Sequence, residues 1–409
     1  LAKRVLRADL FGSRREKLAA LAASHTGNTA WTAVEPDAPS FFFLSYDREV
    51  EREYRRGLSL PEIFPRFSTG VITGCDALAI HFDRRALEER LSALRRAPAP
   101  DRRIDSRAWE RLRSDPEWRQ RIRGYLVHPF DSRFLFYADY FLERPRTAVL
   151  APLAARGEHL ALVACRQTRG EVGALVTRGL AGHKAVSTYD SSSVFPLYRA
   201  PERKDAGGDP ALLAPVPNLA PDLLPSLAER YGTAPQAEEI LAYVYALLYD
   251  PGYRARYRNP LRLDFARVRF PRDLALFRQL AALGRELIGL HLLTDERLLR
   301  PSVRLVGADS ESPARRRLGA GTRTLFGYDP SRHWLHLNAI GLRFEGVAPE
   351  VLEYEIGGCR VLPGWLRARA GRGLTVEDST HFCRVAAALS LTLEVQARIA
   401  EVGTAAQDF

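Results

Sequence analysis

Apolar residues recur along this chain in two rhythms, and proline, glycine and arginine separate the segments that carry them. From Pro235 to Tyr249, Ile240, Leu241, Val244, Leu247 and Leu248 share one face of a 3.6-residue repeat, which predicts an amphipathic helix. The same period predicts a second long helix over 273–293 and a last one over 375–402. The middle of the chain changes rhythm. Between Tyr125 and Tyr198 the short runs 133–137, 160–166 and 172–177 read as strands, and 303–345 reads as a small β unit turning at Tyr328-Asp329-Pro330-Ser331. Residues 84–123 read as helix broken at Pro98–Pro100, and 199–218 as a surface loop. At the start, a strand over 4–10 leads to Ser13-x-x-Glu16, a capping box for a helix ending near Ala23, and then to an aromatic strand over 40–46. The sum is an α+β chain with a β-rich centre and helices on both flanks.

Charge then narrows the function classes. The 409 residues carry 60 basic and 49 acidic side chains, a net of +11, and only four of the bases are lysine. A bias this deep towards arginine reads as a GC-rich coding sequence as much as a binding surface. No apolar run reaches the 18 residues of a membrane span, and Leu1-Ala2-Lys3-Arg4 leads into no apolar segment of a secretory signal. The expectation is therefore a cytoplasmic protein without a membrane partner. The four cysteines form no Cys-x-x-Cys pair and read as buried, reduced thiols. Methionine is absent, which reads as a fragment or as a sequence that has lost its methionines.

Catalytic signatures are missing. No lysine follows a glycine as a phosphate-binding loop requires, and no Gly-x-Ser-x-Gly or His-Glu-x-x-His occurs. His333 and His336, three apart in a predicted strand, would face opposite sides. Asp190 with Glu202 and Lys204 loosely matches the carboxylate–lysine set of metal-dependent nucleases, but the three flank a proline-containing loop. No metal site is expected. The chemistry that remains is arginine with aromatics, the pairing that grips phosphate and stacks on bases, dense in 125–146 and 253–272.

Motifs in order sharpen this reading. Glu62-Ile63-Phe64-Pro65-Arg66-Phe67-Ser68-Thr69-Gly70-Val71 resembles a landmark of type ISP restriction–modification enzymes, and Pro129-Phe130-Asp131-Ser132-Arg133-Phe134-Leu135-Phe136-Tyr137 resembles another. Cys165-Arg166-Gln167, Ser193-Val194-Phe195-Pro196-Leu197-Tyr198, Glu355-Ile356-Gly357-Gly358 and Gly371-Arg372 continue the series. One departure is Cys75 before Asp76, where that family tends to have arginine. The resemblance implies a C-terminal specificity region that reads duplex DNA. It implies the tail of a methyltransferase-like α/β domain over 1–60, a helical Arg-rich connector over 61–124 and a target recognition domain over 125–409. S-adenosylmethionine would sit on the missing adenine-N6 methyltransferase part, with no cofactor in this chain. The partners would be double-stranded DNA and the methyltransferase, helicase and nuclease parts, in the same polypeptide or another subunit.

Two groups then become candidate DNA contacts: Arg133, Tyr137, Arg144 and Arg146, and Arg166, Gln167, Ser191 and Ser192. The loops 168–189 and 300–323 add His183, Lys184, Arg315, Arg316 and Arg317. No catalytic residue is expected in this chain alone. An adaptor with a solvated Arg-rich surface and a metal-dependent nuclease are the alternatives.

Overall fold

Caps and burial set the element limits. The computed structural model describes residues 4–36, 41, 43, 47–155, 159–168, 171–201, 215–307, 318, 327–338 and 341–405. The helices that carry the packing are α1 (Arg14–Ala23), α2 (Arg84–Arg96), α3 (Ser106–Ser114), α4 (Thr147–Ala154), α5 (Ala237–Tyr249), α6 (Leu274–His291), α7 (Val361–Arg367) and α8 (Val376–Ala405). Ser13 and Glu16 form the expected box on α1: Ser13 N–H donates to the Glu16 carboxylate at 2.6 Å, and Glu16 N–H to Ser13 Oγ at 3.4 Å. Asp83, Asp105 and Asp273 cap α2, α3 and α6 by accepting from orphan N–H groups of their first turns.

The strands are β1 (Val5–Arg7), β2 (Thr32–Val34), β3 (Ser68–Thr69), β4 (Ile80–His81), β5 (Ile122–His128), β6 (Asp131–Phe136), β7 (Ala161–Cys165), β8 (Ala174–Thr177), β9 (Leu180–Ala181), β10 (Ser192–Pro196), β11 (Arg304–Val306), β12 (Gly327–Asp329), β13 (Trp334–His336) and β14 (Arg343–Glu345). Three four-stranded sheets result, ordered β9-β5-β6-β4, β3-β10-β7-β8 and β11-β14-β13-β12. Single bridges, Val71 to Gly182 and Ile72 to Arg144, tie the segment after β3 to the first sheet's surroundings.

The chain divides into two compact units, 1–53 and 54–409. In the first, β1 and β2 pair antiparallel and α1 buries none of its side chains. Of the aromatic strand expected over 40–46, only Phe41 and Phe43 lie within the described residues, and neither is in a strand.

In the second unit no division falls at residue 124. Leu87, Leu91 and Leu94 of α2 and Trp109 and Leu112 of α3 share one core with Phe136 of β6, Phe344 of β14 and Phe382 of α8. The arginines of that stretch act largely as cross-links: Arg84 donates to the Ile122 and Arg119 carbonyls, Arg90 to those of Ala77 and Ile80, and Arg95 to those of Leu112 and Asp115.

Helix α5 differs from its amphipathic forecast, because from Ile240 to Tyr249 it is buried on every side. Three tyrosines make this possible by finding partners for their hydroxyls. Tyr243 donates to the Arg269 carbonyl, Tyr249 to that of Ala174, and Tyr245 meets His291. Gly284 of α6 lets that helix approach α5 closely, since a Cβ there would strike the Ala242 carbonyl.

Candidate nucleic-acid interface

The hairpin β5–β6 and the segment that follows it to α4 carry the first group of expected contacts, and the fold disperses it. Arg133 points at Asp131, 2.6 Å away, and lies over the Phe82 ring with only 19% of its side chain exposed. The Tyr137 hydroxyl donates to the Pro145 carbonyl at 2.8 Å, and burial pushes its pKa up to about 12. It staples the 137–145 loop from inside and presents no hydroxyl to a ligand. Arg146 takes a left-handed conformation (φ 59°) before α4, with its Nε buried and without a partner. Arg144 alone of the four presents its cation to solvent, beside Glu143 at 3.6 Å.

The second group does come together, at one end of the sheet β3-β10-β7-β8. Cys165 faces Ser192 across β7 and β10, so the strand ends set Arg166 beside Ser191. Arg166 Nε donates to Asp264 at 2.8 Å and Gln167 Nε2 to the Leu263 carbonyl at 3.2 Å, both at exposed positions. Ser191 is exposed. Ser192 is fully buried, and its Oγ accepts the Val186 N–H at 3.1 Å. Ser191 precedes the strand and Ser192 begins one that is buried at all five positions, so the first can meet a ligand and the second cannot. His183, half-buried, is fixed by backbone bonds to Val71 and Ser192. Lys184 Nζ donates to the Tyr189 carbonyl at 2.6 Å and closes the 184–189 turn, leaving Tyr189 68% exposed at its tip. Sequence reasoning passed over Tyr189, although a lone aromatic between Thr188 and Asp190 was the available signal.

Arg315, Arg316 and Arg317 lie outside the described residues. Their anchor points do not. The segment runs from Val306 to Gly327, the ends of the two edge strands of the sheet β11-β14-β13-β12, and Leu318 is buried with its N–H on the Arg372 carbonyl at 3.0 Å. The outward face of that sheet is cationic and aromatic. Arg332 and Arg343 lie over the Trp334 ring, 4.7 and 4.2 Å from its centroid, while Glu345 holds Arg304 and Arg343 at 2.9 and 2.7 Å. His336 lies in β13. His333 sits in the preceding turn with φ 55°, not in the strand the spacing suggested.

Among the described residues no three His, Cys, Asp or Glu side chains are placed to hold a metal ion. Glu202 and Lys204 of the nuclease alternative lie outside them, and Asp190 is close to Ser187, 3.2 Å away. All four cysteines are free, and burial raises each thiol, Cys165 to about 12. A cavity of about 300 Å³ opens between β5, β8–β9 and the end of α6, lined by Tyr125, Phe130, Leu175, Leu180 and His291. It gathers no charged cluster. No helix among the described residues is long and apolar enough to cross a membrane.

Comparison with known proteins places this arrangement. No curated protein matches the sequence. Among solved structures the chain is similar to a DrdV–DNA complex studied by cryo-electron microscopy (TM-score 0.70, 19% identity, covering 95% of this chain and 42% of that one). It is also similar to a nuclease-deletion mutant of the type ISP restriction–modification enzyme LlaGI with a DNA substrate mimic (0.68, 14%, 97% and 33%). The ATP-dependent type ISP enzyme LlaBIII bound to DNA is a third (0.66, 14%, 90% and 25%). The chain thus spans less than half the length of each, and at these identities the likeness is one of fold. The profile of the type ISP C-terminal specificity domain matches residues 62–388. With four-fifths of its length inside that match, the chain belongs to the type ISP C-terminal specificity domain family.

Proposed function

We propose that this chain is the duplex-DNA target recognition module of a restriction–modification enzyme. The observation that carries the reading is the family match over 62–388, on a fold shared with proteins solved on DNA. The exposed rim of Arg166, Gln167, Ser191 and Tyr189 supports it, since an arginine fork suits guanine or phosphate and a glutamine amide suits adenine. In this reading the module grips phosphates, reads base edges and delivers a flipped adenine to a neighbouring adenine-N6 methyltransferase that binds S-adenosylmethionine. The first unit would complete that neighbour. Leu6, Phe11, Leu18 and Leu21, all exposed, support an unfinished α/β surface over 1–60.

The test is selection from a randomised duplex library at about 150 mM salt, near physiological ionic strength. Enrichment of a short asymmetric motif is expected. Retention without enrichment would mean that the methyltransferase part is needed for reading sequence. No retention would favour a protein-interaction adaptor, and the salt dependence separates the two, because DNA affinity falls by about 0.9 log unit per log unit of salt for each phosphate neutralised. Mg²⁺-dependent cleavage by this chain alone, lost in Lys204→Ala, would instead establish the nuclease.

A further inference from the structure

Two motif stretches more than 200 residues apart converge on one ring. Asp131, 1% exposed, is held by Arg133 at 2.6 Å and by Arg369 at 3.2 Å. Arg369 also meets Asp378 at 3.1 Å and lies 3.6 Å from the Trp365 ring centroid. Around Phe82 stand three guanidiniums, those of Arg133, Arg369 and Arg372, at 4.1, 4.8 and 4.0 Å from its centroid. Two carboxylates face three cations, so one positive charge is left over.

The surplus belongs to Arg372. It makes no ion pair among the described residues, and its Nη1 is buried without a hydrogen-bond partner, as is Nε of Arg133. A phenyl face attracts a cation but carries no countercharge and accepts no in-plane N–H bond. A guanidinium donor stranded in a protein costs free energy that a bound anion would return. Burial lowers the pKa of Arg372; Asp378 and Asp131 act against that shift, and Arg369 and Arg133 add to it. Gly371 and Gly373 flank it, so no neighbouring side chain blocks approach along the chain.

We propose that Arg372 is a phosphate seat: its half-buried guanidinium, which the Asp131–Arg369–Asp378 network leaves over, receives one backbone phosphate of the bound duplex. This rests on the DNA-recognition reading and deepens it. A phosphate contact is independent of sequence, which fits its placement on residues of the family motifs and away from the loops expected to read bases.

The experiment uses the full chain and R372Q, with Arg85→Gln as a control cation on the exposed side of α2. Affinity for one fixed duplex is measured from low to high salt, and melting temperature in phosphate and in chloride at matched ionic strength. R372Q is expected to lose affinity equally for all duplex sequences, with a salt slope shallower by about 0.9, one phosphate's share. In chloride it should melt no lower than wild type, because it removes an unpaired cation, and the extra stability given by phosphate should vanish. R372Q with unchanged affinity and slope would overturn the proposal. So would a lower melting temperature in chloride with the phosphate increment intact, the signature of a purely scaffolding arginine. If wild type binds no DNA yet phosphate stabilises it and not R372Q, the seat stands as a free-anion site and the DNA reading falls. Should R372Q fail to fold, wild type still decides, since no phosphate increment over chloride refutes the seat.

Discussion

His291 is buried, and both ring nitrogens are occupied. The Tyr245 hydroxyl lies 2.5 Å from Nδ1 and Thr392 Oγ1 3.0 Å from Nε2. Thr392 donates its own hydrogen to the Ala388 carbonyl, so it accepts from Nε2–H, and Nδ1 accepts from Tyr245. That arrangement needs a neutral ring, and burial holds the pKa down to about 3 from an ordinary 6.5. As pH falls below 6.5 the unfolded chain takes the proton first. This contribution to stability is therefore complete above about pH 6.5 and is lost below it, by up to about 1.4 kcal/mol per pH unit. Denaturant unfolding between pH 7 and 5 should show this slope in wild type and a slope lower by about one proton in His291→Gln. Equal slopes would mean that another group carries it. The paired serines make a second case. Ser192→Ala leaves the buried Val186 N–H unpaired and should cost about 1–3 kcal/mol in unfolding experiments, whereas Ser191→Ala should leave stability unchanged. Both serines were legible as polar residues near a strand end, but which one faced inwards depended on the pairing of β10 with β7.

Among the elements, the long periodic helices were legible in outline: α5, α6 and α8 fall within a few residues of their forecast limits, because caps such as Asp273 and sustained apolar periods are local signals. What α2 and α3 do with their arginines was not legible. A guanidinium bonded to a carbonyl and one bathed in water look identical in a sequence, and only packing turned Arg84, Arg90 and Arg95 towards backbone oxygens. Arg119 is likewise spent on the Trp118 ring and Arg121 on Asp115. Hence Arg315→Ala with Arg317→Ala should weaken specific DNA binding more than Arg119→Ala with Arg121→Ala, which should chiefly lower the melting temperature. Equal losses in a binding titration would reduce both stretches to general electrostatics. The sheet β11-β14-β13-β12 supports this ranking, since its outward face brings Arg304, Arg332, Arg343 and Trp334 to the strands from which the 315–317 segment departs.

At the scale of the whole molecule, local pattern and long-range packing divide the account between them. Composition and periodicity alone determined that this is an α+β chain with a β-rich centre, and the order of its motifs identified its family, because propensity, capping and motif spelling are properties of contiguous residues. The tertiary structure alone decided which charges are available. It joined the expected connector 61–124 to the same core as the centre, buried Ser192, packed half-buried Tyr137 against that core, and left Arg144, Arg166, Gln167 and Tyr189 facing outwards. It also brought Phe82, Arg133 and Arg372 within contact of one another, although 239 positions separate the two arginines. Burial and ion pairing depend on which distant segments share a wall, and no local period of hydrophobicity encodes that.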